Sequence, residues 1–212
     1  MAGQSSIDVA AAFPIQTVLR DGTPVLIRQI QPEDKHLLEI GLEHLSPQDR
    51  HSRFFGPVSK LSDKVLRQFT EIDHVTHEAM IALDISETPG NPVGVARYIR
   101  IPGTNSYFEV AVTIIDNHQG KGLGTLLLAV LAHRTTENGI TDFTASVLGD
   151  NHRMLELFKE LGATTAHATA GEMDILIPLF ADATLYPQTP VGDVFRQVSA
   201  MLAANPKPGA RQ

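Results

Sequence analysis

Three observations predict an α/β domain, of the α+β kind, built on a mixed, mostly antiparallel sheet of about six or seven strands flanked by helices. Three apolar runs follow one another, Ala79–Ile85, Val93–Ile101 and Phe108–Ile115, joined by ETPGN and PGTNS, which carry turn chemistry. That order is an antiparallel meander. A glycine run, Gln119-Gly120-Lys121-Gly122-Leu123-Gly124-Thr125, then opens a helical segment over Leu123–Asn138. The chain has 212 residues, enough for one sizeable core and a tail.

Taken in order, residues 1–18 read as a loosely ordered lead-in, and residues 19–180 as the folded domain. Val25–Ile30 is the first strand, ended by Gln31-Pro32. Pro32, with Glu33 and Asp34 in the first turn, starts a helix whose stripe is Leu38, Leu42 and Leu45, stopped by Ser46-Pro47. A second helix covers Ser62–Ile72 with Ser62 as N-cap and Val65, Leu66 and Phe69 inward. After the meander, Asn138-Gly139 caps the long helix, and Phe143–Leu148 is a short strand. Asn151–Leu161 is a helix with Met154, Leu157, Phe158 and Leu161 on one face, and Met173–Leu179 is the last strand. Residues 181–212 form a C-terminal extension. Its helix near 191–204 carries Val194, Phe195, Val198, Met201 and Leu202 on one stripe, and its end, NPKPGARQ, reads as disordered. Docking of that stripe onto the same domain is the expected arrangement; a homodimer contact is the alternative.

Composition removes several classes of function. A formal net charge of −7 excludes non-specific nucleic-acid binding and suits a cationic acceptor such as an amine. With no cysteine there is no disulfide, thiolate metal site or cysteine nucleophile, which fits the cytoplasm. The start, MAGQSSIDVAAAF, has no basic n-region and is interrupted by Asp8, so no signal peptide is expected. LGTLLLAVLA, the longest apolar stretch, is too short to span a membrane and is assigned to an amphipathic helix. His74-Val75-Thr76-His77 lacks a third ligand and any HExxH pattern, so no metal is expected.

The glycine run carries chemistry. Glycines let the chain turn tightly and approach a ligand, and the first amides of a helix have no partner within it. Those amides and the helix dipole suit a phosphate or pyrophosphate. The dinucleotide fingerprint fails, because Thr125 or Leu127 stands where its third glycine belongs. The kinase-type P-loop fails too, because Gly122 rather than Ser or Thr follows Lys121.

The pattern Gln/Arg-x-x-Gly-x-Gly/Ala is matched by Gln119, Gly122 and Gly124. With the meander, and with Asn151-His152-Arg153-Met154 running into Leu157-Phe158-Lys159-Glu160-Leu161-Gly162, the chain resembles the GNAT superfamily of acyl-CoA-dependent N-acyltransferases over about Leu19 to Leu179. The resemblance implies a GNAT fold splayed between its fourth and fifth strands, here Phe108–Ile115 and Phe143–Leu148, with acetyl-CoA in the opening. It implies pantetheine pairing with the backbone of Val112 and Ile114, and pyrophosphate on the amides of Gln119, Gly120, Lys121, Gly122, Leu123, Gly124 and Thr125. Asn151 is the counterpart of an Asn that contacts the CoA arm, and Lys121 and Arg153 are candidates for its phosphates. No metal is implied.

The segments Leu19-Arg20-Asp21-Gly22-Thr23, Ile27-Arg28 and Ser52-Arg53-Phe54-Phe55 resemble the catalytic domain of bacterial protein lysine acetyltransferases, which commonly act on acyl-CoA synthetases. By that resemblance Glu109, in Phe108-Glu109-Val110-Ala111-Val112, is the general base acting through water. The oxyanion falls to an amide near Ala111 or Val112, and no covalent enzyme intermediate forms. Phe158 stands where many members have a Tyr that protonates the thiolate, which leaves the general acid open. Arg53, Phe54, Phe55, His74 and His77 are expected on the acceptor side. The implied function is acetyl transfer to a primary amine, a protein lysine first. A small amine (polyamine, amino acid or antibiotic) and a non-catalytic acyl-CoA-binding sensor are the alternatives.

Overall fold

Eight strands form one sheet in the computed structural model, which describes residues 14–48, 50, 60–104, 107–169 and 171–204. They are β1 (Ile15–Val18), β2 (Pro24–Gln29), β3 (His77–Asp84), β4 (Asn91–Arg100), β5 (Phe108–Ile114), β6 (Asp142–Leu148), β7 (Thr164–Thr169) and β8 (Glu172–Pro178). Their spatial order is β1-β2-β3-β4-β5-β6-β8-β7. Every neighbouring pair is antiparallel except β5 with β6, which is parallel. The predicted meander is β3-β4-β5. The helices are α1 (Lys35–Glu43), α2 (Asp63–Thr70), α3 (Leu123–Glu137), α4 (His152–Glu160) and α5 (Pro190–Ala204).

The eight strands are the six segments read from the sequence and two more, β1 and β7. The lead-in reading of residues 1–18 fails at its end, because Ile15–Val18 is β1, paired with β2 in the register Ile15↔Ile27. Ile15 is its one buried side chain, too little alternation for four residues to announce a strand. All six side chains of β7 are exposed. A strand with neither face covered has no reason to alternate apolar and polar residues, so TTAHAT carried no period.

The helix expected from Pro32 begins as a 3-10 turn, Pro32–Asp34, and continues as α1. Asp34 organises the change: it accepts the Gln31 amide at 2.8 Å and a bidentate pair from Arg28 at 2.6 and 2.8 Å. Ser62 and Asn151 cap α2 and α4 as the sequence indicates, accepting the amides of Val65 at 3.4 Å and Met154 at 3.2 Å.

The main core lies between one face of the sheet and α3, with α5 outside α3. That stacking corrects the amphipathic reading of α3. Leu127, Leu128, Ala129, Val130, Leu131 and Ala132 are all buried, because the sheet covers one side and α5 the other. Phe195, Val198 and Leu202 of α5 join this core, so its apolar stripe is spent within the chain. Among the described residues no helix is long and apolar enough to cross a membrane.

A close backbone approach fixes α5. A side-chain carbon at Gly192 would overlap the carbonyl oxygen of Pro187, which also accepts Arg196 at 2.7 Å. Gly192→Ala should therefore destabilise the protein by about 1–3 kcal/mol, although Ala is the better helix former. Urea unfolding measures it, and unchanged or raised stability would contradict the packing of α5.

Candidate active site

The sheet opens between β5 and β6. These strands share one ladder pair, Glu109↔Thr144, and diverge beyond it. Backbone parity says which groups the divergence leaves facing the gap. The Ile115 amide bonds Val93 of β4 at 3.1 Å, so the odd-numbered peptide groups of β5 point towards β4. The even-numbered ones point the other way: Phe108 O accepts Thr144 Oγ1 at 3.3 Å, and Ile114 O accepts Gln119 Nε2 at 3.2 Å. Val112 follows this parity, so its N–H and C=O face the opening.

The opening is a groove of about 600 Å³. One wall is β5, from Glu109 to Ile114; the other includes Ala145 to Leu148 of β6 with Met154, Leu157 and Phe158 of α4. Its end is the glycine loop. Gly120 and Gly122 have φ of 76° and 91°, left-handed values that a side chain strains. Gly122 is the N-cap of α3 and supplies no side-chain cap, so the first amides of the helix are open to a ligand. Glycines at the approach, open amides and dipole fit a pyrophosphate.

Gln119, Gly120, Gly122, Gly124, Thr125, Asn151 and Arg153 line this groove with Val112 and Ile114. The side chains of Lys121 and Leu123 do not. Leu123 is 1% exposed in the core, leaving only its backbone for the loop. Lys121 Nζ lies 2.7 Å from Asp21 Oδ2. Hydrogen bonds from Lys121 and then Thr23 hold the Asp21 carboxyl well below the usual carboxylate range. The expectation that Lys121 faces the phosphates is thus corrected, since a carboxylate from the β1–β2 turn holds it. Asn151 Oδ1 is engaged as the α4 cap. Arg153 Nη1 donates to Gln119 Oε1 at 3.3 Å, which keeps it beside the loop. His118 also lines the groove, and its Nε2 lies 3.1 Å from Asp84 Oδ2, a packing contact with the end of β3.

Glu109 is exposed at the groove mouth, and its carboxylate has no hydrogen-bonding or ionic partner among the described residues. Ile99 lies beside it on β4, and His77 beside Ile99 on β3. One strand thus separates His77 from Glu109, about 10 Å in the hydrogen-bonding direction. His77 gives an acceptor no access: it is buried, and its Nε2 lies 3.2 Å from Arg97 Nη1. His74 is held by Glu78, Nδ1 to Oε1 at 2.8 Å. The pair is part of the packing at the start of β3, and no metal-ligating cluster occurs among the described residues. Arg53, Phe54 and Phe55 lie outside the described residues.

Burial, reinforced by the Arg97 guanidinium, pushes the His77 imidazole down to about 4. The unfolded chain, with a histidine near 6.5, binds a proton that the folded chain refuses between those values. Stability should therefore fall as pH drops from about 6.5 to 4 and level off below, with a slope of at most about 1.4 kcal/mol per pH unit. His77→Gln should remove that slope in pH-dependent denaturation; an identical slope in the variant would contradict the buried neutral imidazole.

Sequence reasoning missed two contributors to the groove. Arg20 reaches it from the β1–β2 turn, and Pro190, Val191 and Val194 reach it from α5. The segment Leu19–Thr23 did stand out as part of a resemblance, but nothing in it located the glycine loop. Val194 stood out only as part of the apolar stripe of α5, and nothing pointed either valine to the groove, because only the docking of α5 brings them there.

Comparison with known proteins gives the same picture. The model of the Acetyltransferase (GNAT) family matches residues 46–163. An acetyltransferase of Pseudomonas aeruginosa is 33% identical over 144 residues, covering 68% of this chain and 77% of that protein. Acetyltransferase Pat of Mycolicibacterium smegmatis is 29% identical over 163 residues, 76% of this chain and 48% of Pat, so the chain spans about half of that relative. The solved GNAT domain of S. lividans PAT has a TM-score of 0.71 at 29% identity, covering 81% of this chain and 100% of the domain. The matched residues contain the β5–β6 splay, the glycine loop and the Asn151-capped helix, and this chain belongs to the acetyltransferase (GNAT) family.

Proposed function

We propose that this chain transfers the acetyl group of acetyl-CoA to a protein lysine by direct attack within a ternary complex. The observation that carries the reading is Glu109: an exposed carboxylate, unpaired among the described residues, at the mouth of a groove whose far end is a phosphate-shaped loop. Acetyl-CoA, held by the Val112 and Ile114 backbone, the loop amides and Arg153, supplies a thioester activated towards amines.

The chain's own groups do the rest. A lysine amine is an ammonium until about pH 10.4, and cannot attack while protonated. Glu109 takes that proton through a bridging water. Parity narrows the oxyanion donor from Ala111 or Val112 to the Val112 N–H, because the Ala111 N–H points towards β4. Phe158, 4% exposed in the groove wall, keeps water from that side and has no proton to give. With no cysteine in the chain, no thiol carries the acetyl group in between.

An acceptor that must meet Glu109 at an exposed mouth suits a side chain projecting from a protein surface, and the likeness to acetyltransferase Pat supports this. Labelled acetyl-CoA incubated with the enzyme, a protein panel that includes acyl-CoA synthetases, and a panel of small amines tests it. Label on protein lysines is expected. Label on polyamines or amino acids alone would overturn the acceptor, and label on neither would make the chain a sensor.

A further inference from the structure

We propose that Arg20 is one arm of a two-arginine clamp on the pyrophosphate of the acyl-CoA, with Arg153 the other arm; this rests on the acyl-CoA reading of the groove. Arg20 sits on the tight turn between β1 and β2, closed by Leu19 N to Thr23 O and Gly22 N to Leu19 O, both 2.9 Å. The turn is fastened to the glycine loop twice. The Arg20 amide donates to Lys121 O at 3.4 Å, and Asp21 pairs with Lys121.

This fastening aims the guanidinium. Arg20 Nε and Cζ lie 3.4 and 3.8 Å from the point that a Gly122 side-chain carbon would occupy. Arg153 Nη2 lies 3.0 Å from the corresponding point at Gly120. Two guanidinium groups thus stand over the two left-handed glycines of the loop. Arg153 is steadied by Gln119, whereas the Arg20 side chain has no hydrogen-bonding or ionic partner among the described residues.

The division of charge makes Arg20 the more telling residue. Lys121 is the cation that sequence places in the loop, yet Asp21 neutralises it and draws it aside. The same turn delivers a guanidinium in its place. A planar fork with parallel N–H donors matches phosphate oxygens better than an ammonium does. Asp21 therefore positions the clamp, and Gly122 leaves the space into which Arg20 and the ligand fit. On a chain of net charge −7, two cations at one end of the groove also fix which end receives the anionic part of the ligand.

The test is calorimetric binding of CoA, 3′-dephospho-CoA and pantetheine to the full chain and to Arg20→Gln and Arg20→Lys. The Arg20 side chain is exposed and has no hydrogen-bonding or ionic partner among the described residues, so neither variant breaks a bond seen there. Arg20→Gln should weaken CoA and 3′-dephospho-CoA equally, by about tenfold, and leave pantetheine binding unchanged. Arg20→Lys should restore part of the loss, and in turnover Arg20→Gln should raise KM for acetyl-CoA more than it lowers kcat. Equal CoA affinity in wild type and Arg20→Gln would overturn the clamp while sparing the groove. A loss seen with CoA but not with 3′-dephospho-CoA would move Arg20 to the 3′-phosphate and overturn the pyrophosphate assignment. Wild type that binds no CoA would overturn the acyl-CoA reading, and the clamp with it.

Discussion

Glu109→Gln should lower kcat by about 10²–10⁴-fold while acetyl-CoA still binds. Gln keeps the shape of the side chain and removes its ability to take a proton. Glu109 is exposed and has no hydrogen-bonding or ionic partner among the described residues, so the change breaks no contact seen there. The thioester groove ends at the glycine loop, well along β5 from Glu109, so affinity for the donor has no reason to fall. The deficit should shrink as pH rises towards about 10, where the amine loses its proton without help. Steady-state kinetics across pH, paired with calorimetry of acetyl-CoA binding, separate the two effects. A variant with full turnover at neutral pH would remove Glu109 as the base.

Gly122→Ala should raise KM for acetyl-CoA by tenfold or more and cost about 1–2 kcal/mol of stability. The residue has φ 91°, which a side chain opposes, and it is the N-cap from which α3 starts. An added carbon would also meet Arg20 Nε at 3.4 Å, on the side from which a ligand comes. Gly124→Ala provides the contrast, since its backbone is not left-handed and the new carbon makes an ordinary 3.7 Å contact with Ile114 Cγ1. Gly124→Ala should therefore cost much less than Gly122→Ala in both measurements. Equal costs would mean that size, rather than backbone conformation and ligand approach, decides the loop. Thermal melts and acetyl-CoA titration of the two variants measure the difference.

What was legible in the sequence was local. Ser62 and Asn151 lie next to the amides they cap, and the glycine run states its own conformation. The meander was readable because β3, β4 and β5 are long, apolar runs, largely buried in β3 and β4 and buried or half-buried in β5. β1 and β7 escaped because one is short and the other is exposed on both faces. Within the site, misreadings came from contacts between residues far apart in the chain. Lys121 looks like a phosphate ligand until Asp21, a hundred residues earlier, is seen to hold it. His77 looks available until Arg97 closes over it. Arg20, Val191 and Val194 enter the groove only because a turn and a helix from opposite ends of the domain dock beside β5 and α4. Charge pairing across a fold leaves no period and no motif.

In the proposed function the β5–β6 splay is an acyl-CoA groove closed by the glycine loop. Titration of the amide-labelled protein with CoA, followed by NMR, tests it directly. The amides of Val112, Ile114, Gly120, Gly122, Leu123, Gly124 and Thr125 should shift together and saturate. Shifts confined to the small apolar cavity bounded by Leu42, Leu45, Phe69 and Thr113, with the loop amides unmoved, would contradict it.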